Sequence, residues 1–524
     1  MKVTAVDFLP TIDQVLPNDL LQRESTSLLS LVQDLCNTLA IENINYCHWK
    51  SNDVIERSGS GENDLDLLVS RADVTRFTEI LYRMGFKQAK AAPEREMPGV
   101  LDYYAYDEEA DKLIHVHAHY QLILGNDMTK NYRLPIEKPY LESAVQGDLF
   151  RIPAPDFEFI VFVIRMVLKH LTWDSILARQ GTLKKAERQE LRYLQDRIDQ
   201  DRVNDILKQH LPYVGVALFD DCVRALQPGS GIWSRVKIGQ RLQAALQANV
   251  RRRMPSDVYL KLWRRATLVI RRRVFNYSPK YRLASGGALI AIVGGDGAGK
   301  STAVDALNAW LSKYFVTTRV HMGKPTWSWT TKTVRGILKI GNVLGLIPID
   351  SSFQKTLNQK SPLSPGYPWL LREVCRARDR YKTYLKARRF AANGGLVIVD
   401  RFPVHQIKLM DGPQARRFVS QLSDGTQANL FLSPRQGSRL AQRLVNLEES
   451  YYHQITSPEL LFALLVNPEI AVQRRADEDA DTVRQRSTEI WTLNWEQTAA
   501  RVVDSSKSKE EVLTELKALI WSAL

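Results

Sequence analysis

The apolar positions of residues 286–524 alternate between two periods. Continuous apolar runs of strand length stand at Ala288–Val293, Thr317–Met322, Leu396–Val399, Leu460–Val466 and Arg501–Val503. Helix-period stretches lie among them at Ala303–Leu311 and Leu371–Ala391, and a last one starts at Lys509. Strands that are apolar on both faces must be covered on both, so this order predicts an α/β unit on a parallel sheet. Upstream, Phe157–Leu171 repeats apolar residues every three to four positions, with Arg165 and Lys169 as its internal cations, and Lys184–Leu211 is charged and amphipathic. These read as helices packed behind an N-terminal sheet. Turn and breaker residues crowd Tyr277–Gly287, where Ser-Pro-Lys precedes Ala-Ser-Gly-Gly. The expected organisation is an α+β unit over 1–150, a helical extension over 151–249, a linker over 250–285 and the parallel-sheet unit over 286–524.

A chain of 524 residues, 44% hydrophobic and 25% charged, has room for two or three domains, each with its own core. Cys36, Cys47, Cys222 and Cys375 follow neither metal-ligand nor disulfide-framework spacing. No apolar leader opens the sequence, and no run is long and uncharged enough to span a bilayer. A reduced cytoplasmic protein, at most peripheral to a membrane, is expected. The net charge of +14 is concentrated: Val250–Arg282 holds eleven Lys or Arg residues against one acid, Asp257, interleaved with Leu262, Trp263, Val269, Ile270 and Phe275. Such a segment suits either a solvated linker helix or an anionic membrane surface, and nucleic acid less well.

Gly294-Gly295-Asp296-Gly297-Ala298-Gly299-Lys300-Ser301-Thr302 is a G-x-x-x-x-G-K-S loop between an apolar run and a helix-forming segment. Gly294, Gly297 and Gly299 let the backbone turn tightly and aim amides at phosphate oxygens, while Lys300 reaches the outer phosphates and Ser301 ligates Mg²⁺. The loop predicts binding of a nucleoside triphosphate. Further on, Gly394–Pro403 reads as a strand delivering Asp400 and Arg401 to its carboxyl end, the edge where ligands sit in open α/β sheets. Asp400 suits a Mg²⁺ shell and Arg401 an anionic acceptor.

Residues 288–524 resemble the thymidylate kinase branch of nucleoside monophosphate kinases. The resemblance rests on the loop with its acid at Asp296, on Asp400-Arg401-Phe402, on Ala377-Arg378-Asp379-Arg380, and on the late strand followed by Pro-Glu and arginines over Leu464–Arg475. It implies that ATP and Mg²⁺ bind Gly294, Asp296, Gly297, Gly299, Lys300, Ser301 and Thr302, and that Lys300, Asp400, Arg401 and Arg380 position donor and acceptor. Arg474, Arg475, Arg484 or Arg486 would close over the transferring phosphoryl group. An arginine beside Ala476-Asp477-Glu478-Asp479 equally suits that acidic run. The stretch Gly323–Gly366, with Trp327, Trp329 and the apolar Val334–Ile349, is longer than the family needs, and Asp411-Gly412-Pro413 after His405 and Lys408 is unlike it. Both departures speak against dTMP as acceptor.

The N-terminal part carries a second signature. In Gly59-Ser60-Gly61-Glu62-Asn63-Asp64-Leu65-Asp66, two carboxylates two residues apart share one strand face after a glycine turn, an arrangement that binds Mg²⁺ and triphosphate. Together with His48-Trp49-Lys50 and Gly85-Phe86, it resembles the nucleotidyltransferase superfamily over residues 40–125. That family expects a third carboxylate from a later strand, yet Leu113–Tyr120 offers His115, His117 and His119 on one face. Two-metal nucleotidyl transfer wants hard oxygen ligands. The histidines suit a softer ion such as Zn²⁺ or Mn²⁺, or a polar strand face without metal.

The fold expected is therefore a P-loop parallel-sheet kinase domain preceded by an α+β nucleotidyltransferase-like domain with a helical extension. The function expected is ATP-dependent phosphoryl transfer to a phosphorylated small-molecule acceptor. Nucleotidyl transfer at Asp64 and Asp66, or a regulatory ATP-binding protein with degraded sites, are the alternatives. A homodimer is among the expected partners.

Overall fold

The computed structural model describes residues 28–97, 99–173, 175, 181–275, 279–343, 367–404, 406, 407, 412–415 and 439–524. His405, Lys408, Asp411 and the stretch 344–366 lie outside them. Fifteen strands can be numbered among the described residues. A six-stranded mixed sheet contains β1 (Tyr46–His48), β2 (Leu65–Val69), β3 (Lys87–Lys90), β4 (Val100–Asp107) and β5 (Lys112–His119). Two short ribbons follow, β6 (Ile123–Leu124) with β7 (Tyr132–Arg133) and β8 (Val145–Gln146) with β9 (Arg151–Ile152). The sixth strand of the first sheet is β10 (Arg282–Leu283), and the order is β1-β2-β5-β4-β3-β10. A second sheet holds β11 (Ala288–Gly294), β12 (Thr317–His321), β13 (Leu396–Asp400), β14 (Leu460–Leu465) and β15 (Ala500–Asp504) in the order β12-β13-β11-β14-β15, every pair parallel.

The protein is thus mixed α/β with a five-stranded parallel sheet, and the apolar runs explain it. β11 and β13 are buried along their whole length, because helices cover both faces. Leu289, Ala291 and Val293 pack with Ala377, Tyr384 and Ala387 of the helix Tyr367–Ala392 on one side. Ile290 and Ile292 pack with Val304 and Leu307 of the helix Lys300–Leu311 on the other. The alternation in β5 works differently: Ile114, Val116 and Ala118 enter the core beneath the helices Ser30–Ile41 and Val74–Arg83, leaving the odd-numbered histidines on the opposite face. The helix Pro155–His170 is almost wholly buried and packs with the helices that follow it against Cys47, Trp49 and Leu68.

The two sheets share a boundary made of packed side chains. β10 pairs antiparallel with β3, Arg282 opposite Lys90 and Leu283 opposite Ala89. Tyr104, Tyr106 and Leu113 of the first sheet join Trp310, Phe315 and Trp521 of the second half in one apolar cluster. Trp521 Nε1 donates to the Gly85 carbonyl at 3.1 Å, and Lys517 pairs with Asp111 at 2.6 Å. The basic helix Met254–Phe275 lies on the N-terminal half, where Asp257 and Lys261 form a buried pair at 3.1 Å and Arg264 donates to the Met128 carbonyl at 2.6 Å. Among the described residues, no helix is long and apolar enough to cross a membrane.

Candidate functional site

β11 is the strand at which the connections of the parallel sheet change direction: β13 flanks it on one side and β14 on the other. A crevice opens beyond the carboxyl ends of the strands at such a point. The loop that leaves β11 turns through left-handed residues at Gly297 (φ 77°) and Gly299 (φ 78°), which favour glycine. Space demands it as well. A Cβ on Gly294 would stand 2.7 Å from the Leu464 carbonyl oxygen, and one on Gly295 2.8 Å from Ser487 Oγ. Gly295 was not singled out from the sequence, since only the packing of Ser487 makes its lack of a side chain necessary.

Lys300 is buried at the start of the helix, and its Nζ donates to the Gly295 carbonyl at 2.6 Å, bridging its own loop. Ser301 and Thr302 are exposed in the first turn. Asp400 ends β13 beside Ile292 of β11 and His321 of β12. It is buried, and its Oδ1 has no hydrogen-bond partner among the described residues. Arg401, the next residue, adopts φ 58°, a left-handed conformation costing a side-chain-bearing residue on the order of 1 kcal/mol.

The arginines are placed unequally. Asn467 caps the helix Pro468–Arg474 with Pro468 at its first position, and Asp479 caps Ala480–Trp491. The first helix brings Arg474 to the loop, where it donates to the Ser505 carbonyl at 2.9 Å and meets the Gly297 carbonyl at 3.4 Å. The second brings Arg486 to within 3.1 Å of the buried Asp296 carboxylate. Arg484 stands apart, paired with Glu469 at 2.8 Å and Asp481 at 3.0 Å on an exposed flank, and Arg475 pairs with Glu478 at 3.4 Å. Arg380 is buried: it donates to the Met322 carbonyl at 2.8 Å and bonds the Tyr452 hydroxyl. A cavity of 190 Å³ beside the loop is lined by Gly299, Thr302, Arg474, Ser505 and Lys507.

The second constellation lies on the polar face of the first sheet. Parallel register sets Asp66 beside His117, and antiparallel register sets Asp102 of β4 beside the same His117. Asp102 of β4 thus adds a carboxylate to the face that carries Asp66 and His117. It was missed because only long-range pairing brings Asp102 to the site, although Asp102 alternates with buried Tyr103 in the way a polar-face residue should.

His115 bridges two acids, with Nδ1 2.9 Å from Asp64 and Nε2 2.9 Å from Asp102, and it stacks on Tyr104 at 4.4 Å. Burial alone would lower its pKa, but the bonds to Asp102 and Asp64 outweigh burial and lift it to about 9. At neutral pH it is an imidazolium between two carboxylates. Asp66 meets Lys50 at 2.8 Å and His117 at 3.1 Å. Burial opposes its charge, yet Lys50 and the two histidines hold the carboxyl well below its usual range. A cavity of 400 Å³ opens over Asp64 and Asp66 and is lined also by Lys50, Lys130, Arg165 and Lys169. Burial, reinforced by Lys50, draws Lys130 down to about 8.

No protein-family model matches the chain. It is similar to two proteins, each named an uncharacterized ATP-binding protein YghR, from Escherichia coli strain K12 and Escherichia coli O6:H1 strain CFT073. In each case 27% of residues are identical over 236 positions, covering 44% of this chain and 86% of the relative.

Proposed function

We propose that the chain is an ATP-dependent phosphotransferase of the nucleoside monophosphate kinase kind, moving the γ-phosphate of ATP to an acceptor that already bears a phosphate. One observation carries this reading: Lys300, at the start of the helix that follows β11, and Asp400, which ends the adjacent β13 with its Oδ1 unpartnered among the described residues and its Oδ2 4.0 Å from His321 Nε2, stand at the switch point of a parallel sheet. The similarity to proteins named ATP-binding supports the donor. Lys300 and the amides of Gly294–Gly299 would take the phosphates, and the cavity beside Thr302 and Arg474 lies where the rest of the nucleotide would extend. The buried lone oxygen of Asp400 and the exposed hydroxyl of Ser301 fit Mg²⁺, which when bound would neutralise charge on the phosphates. Arg401, directly after Asp400 at the carboxyl end of β13, would draw in an anionic acceptor.

Lys300→Ala tests this reading. The variant is expected to fold and to lose γ-phosphate transfer, because the lysine serves phosphate charge rather than a core. Undiminished transfer by the purified variant would overturn it.

A second reading, nucleotidyl transfer at Asp64 and Asp66, gains support from Asp102, which completes three carboxylates on one face. Against it stands the His115 imidazolium between Asp64 and Asp102, where a metal ion would be required.

An anionic lipid surface is the partner we propose for the helix Met254–Phe275. Tyr259, Leu262, Trp263, Ile270 and Val274 recur at helical spacing and are all exposed, so the apolar stripe points away from the protein, beside exposed Arg272 and Arg273. Apolar stripe and cations together match the boundary of an anionic bilayer. A homodimer remains part of the proposal only through the same exposed stripe, and the lipid is the occupant its cations favour.

A further inference from the structure

Three ligand-type atoms, from Asp66, His117 and His119, converge on the polar face of the first sheet, where Asp66 also lines the N-terminal cavity. Asp66 Oδ1 is 3.1 Å from His117 Nδ1, His117 Nδ1 is 3.3 Å from His119 Nε2, and His119 Nε2 is 3.6 Å from Asp66 Oδ1. Hydrogen bonding serves this triangle poorly. His117 Nδ1 and His119 Nε2 can both donate to Asp66, but the two nitrogens then face each other at 3.3 Å with no hydrogen bond between them, and the His119 bond is long at 3.6 Å in a place where His119 is buried.

One cation in the middle satisfies all three. Zinc binds imidazole nitrogen and carboxylate oxygen at about 2.0–2.1 Å, and two ligands of a tetrahedron at that radius lie about 3.3–3.4 Å apart. The three observed edges scatter around that value. The ligand types also select: two imidazoles and one carboxylate favour a borderline ion over Mg²⁺, which demands oxygen. Asp102 Oδ1 lies 3.8 Å from His117 Nε2, the nitrogen turned away from the triangle, beyond hydrogen-bond length, and is bonded instead to His115 Nε2 at 2.9 Å. The Trp49 ring meets the His119 ring edge-on at 5.0 Å and fixes its orientation.

We propose that Asp66, His117 and His119 form a site for one divalent transition-metal ion of the zinc class, with Asp66 the ligand that also lines the cavity. The Lys50 ammonium, 2.8 Å from Asp66 Oδ1, competes for that oxygen and must swing aside on its four-carbon stem when the ion enters. The site is separate from the glycine loop, and its existence does not depend on phosphoryl transfer there.

The test uses untagged full-length protein, stripped with chelator and titrated with Zn²⁺ and, in parallel, Co²⁺. One equivalent of Zn²⁺ per chain and the intense visible absorption of tetrahedral Co²⁺ are expected. His117→Gln, at a half-buried position, should weaken binding by about a hundredfold or more while the circular dichroism melt stays cooperative. Lys50→Met should strengthen it, by about threefold or more, because a competitor for Asp66 is gone. No bound Zn²⁺, equal binding by His117→Gln, or weaker binding by Lys50→Met would each overturn the proposal.

Discussion

Arg486 Nη1 lies 3.1 Å from Asp296 Oδ2, so the helix Ala480–Trp491 is fastened by charge to the glycine loop. Asp296 is buried, and a buried carboxylate that loses its partner is costly. Arg486→Ala should therefore lower kcat/KM for phosphoryl transfer by about tenfold to a hundredfold. Arg484→Ala, which breaks an exposed pair with Glu469, should cost about threefold or less. Steady-state kinetics on both variants decides the matter, and losses of equal size would contradict the placement.

Arg401 joins function to local strain. Arg401→Ala is expected to reduce transfer by about a hundredfold or more with little change in ATP affinity, since the guanidinium would act on the acceptor. Arg401→Gly removes the same side chain but accepts φ 58° without strain, so it should equal Arg401→Ala in activity and exceed it in stability by on the order of 1 kcal/mol. Denaturant midpoints compared with transfer rates check both halves of the expectation.

The parallel sheet was legible because its strands are apolar on both faces, and the loop because glycine and lysine spacing is dictated by phosphate geometry. Asp64, Asp66 and the face of His115, His117 and His119 were legible from alternation alone. Asp102 was not, because nothing local distinguishes it from any acid in a half-buried strand until β4 pairs with β5. The turn residues over 277–287 suggest a boundary, but two-residue pairing of β10 with β3 and the docking of Trp521 under Gly85 lie beyond any local pattern. The arginines after Leu464 were legible as a group. Only the helix caps at Asn467 and Asp479 decide that Arg474 and Arg486 face the loop while Arg484 faces Glu469.

His115 should make stability depend on pH. Its folded pKa, about 9, lies above the ordinary histidine value near 6.5, so its contribution is fully present below about 6.5 and is lost as pH rises through about 9. The stability difference between wild type and His115→Gln is expected to shrink across that window. Urea denaturation of both proteins at several pH values measures it. A difference that is constant or grows with pH would contradict an imidazolium held between Asp64 and Asp102.

The outward stripe of the helix Met254–Phe275 predicts sedimentation with vesicles containing anionic phospholipid and release at high salt, as screened Arg contacts require. Trp263→Ala combined with Ile270→Ala should weaken this binding by about tenfold or more, given two large exposed side chains removed from the contact. Binding that ignores both salt and these substitutions would remove the lipid surface from the account.

Phosphoryl transfer from ATP is the central claim, and the position of the transferred label tests it most directly. The full chain should be incubated with Mg²⁺ and ATP labelled in separate reactions at the γ- or α-phosphate, against a panel of nucleoside monophosphates and sugar phosphates. Label from the γ-position appearing in a phosphorylated acceptor, with none from the α-position, is the predicted result. Label from the α-position in the product would contradict it and shift the chemistry to Asp64 and Asp66, while ATP bound without transfer of either label to any acceptor would contradict catalysis altogether.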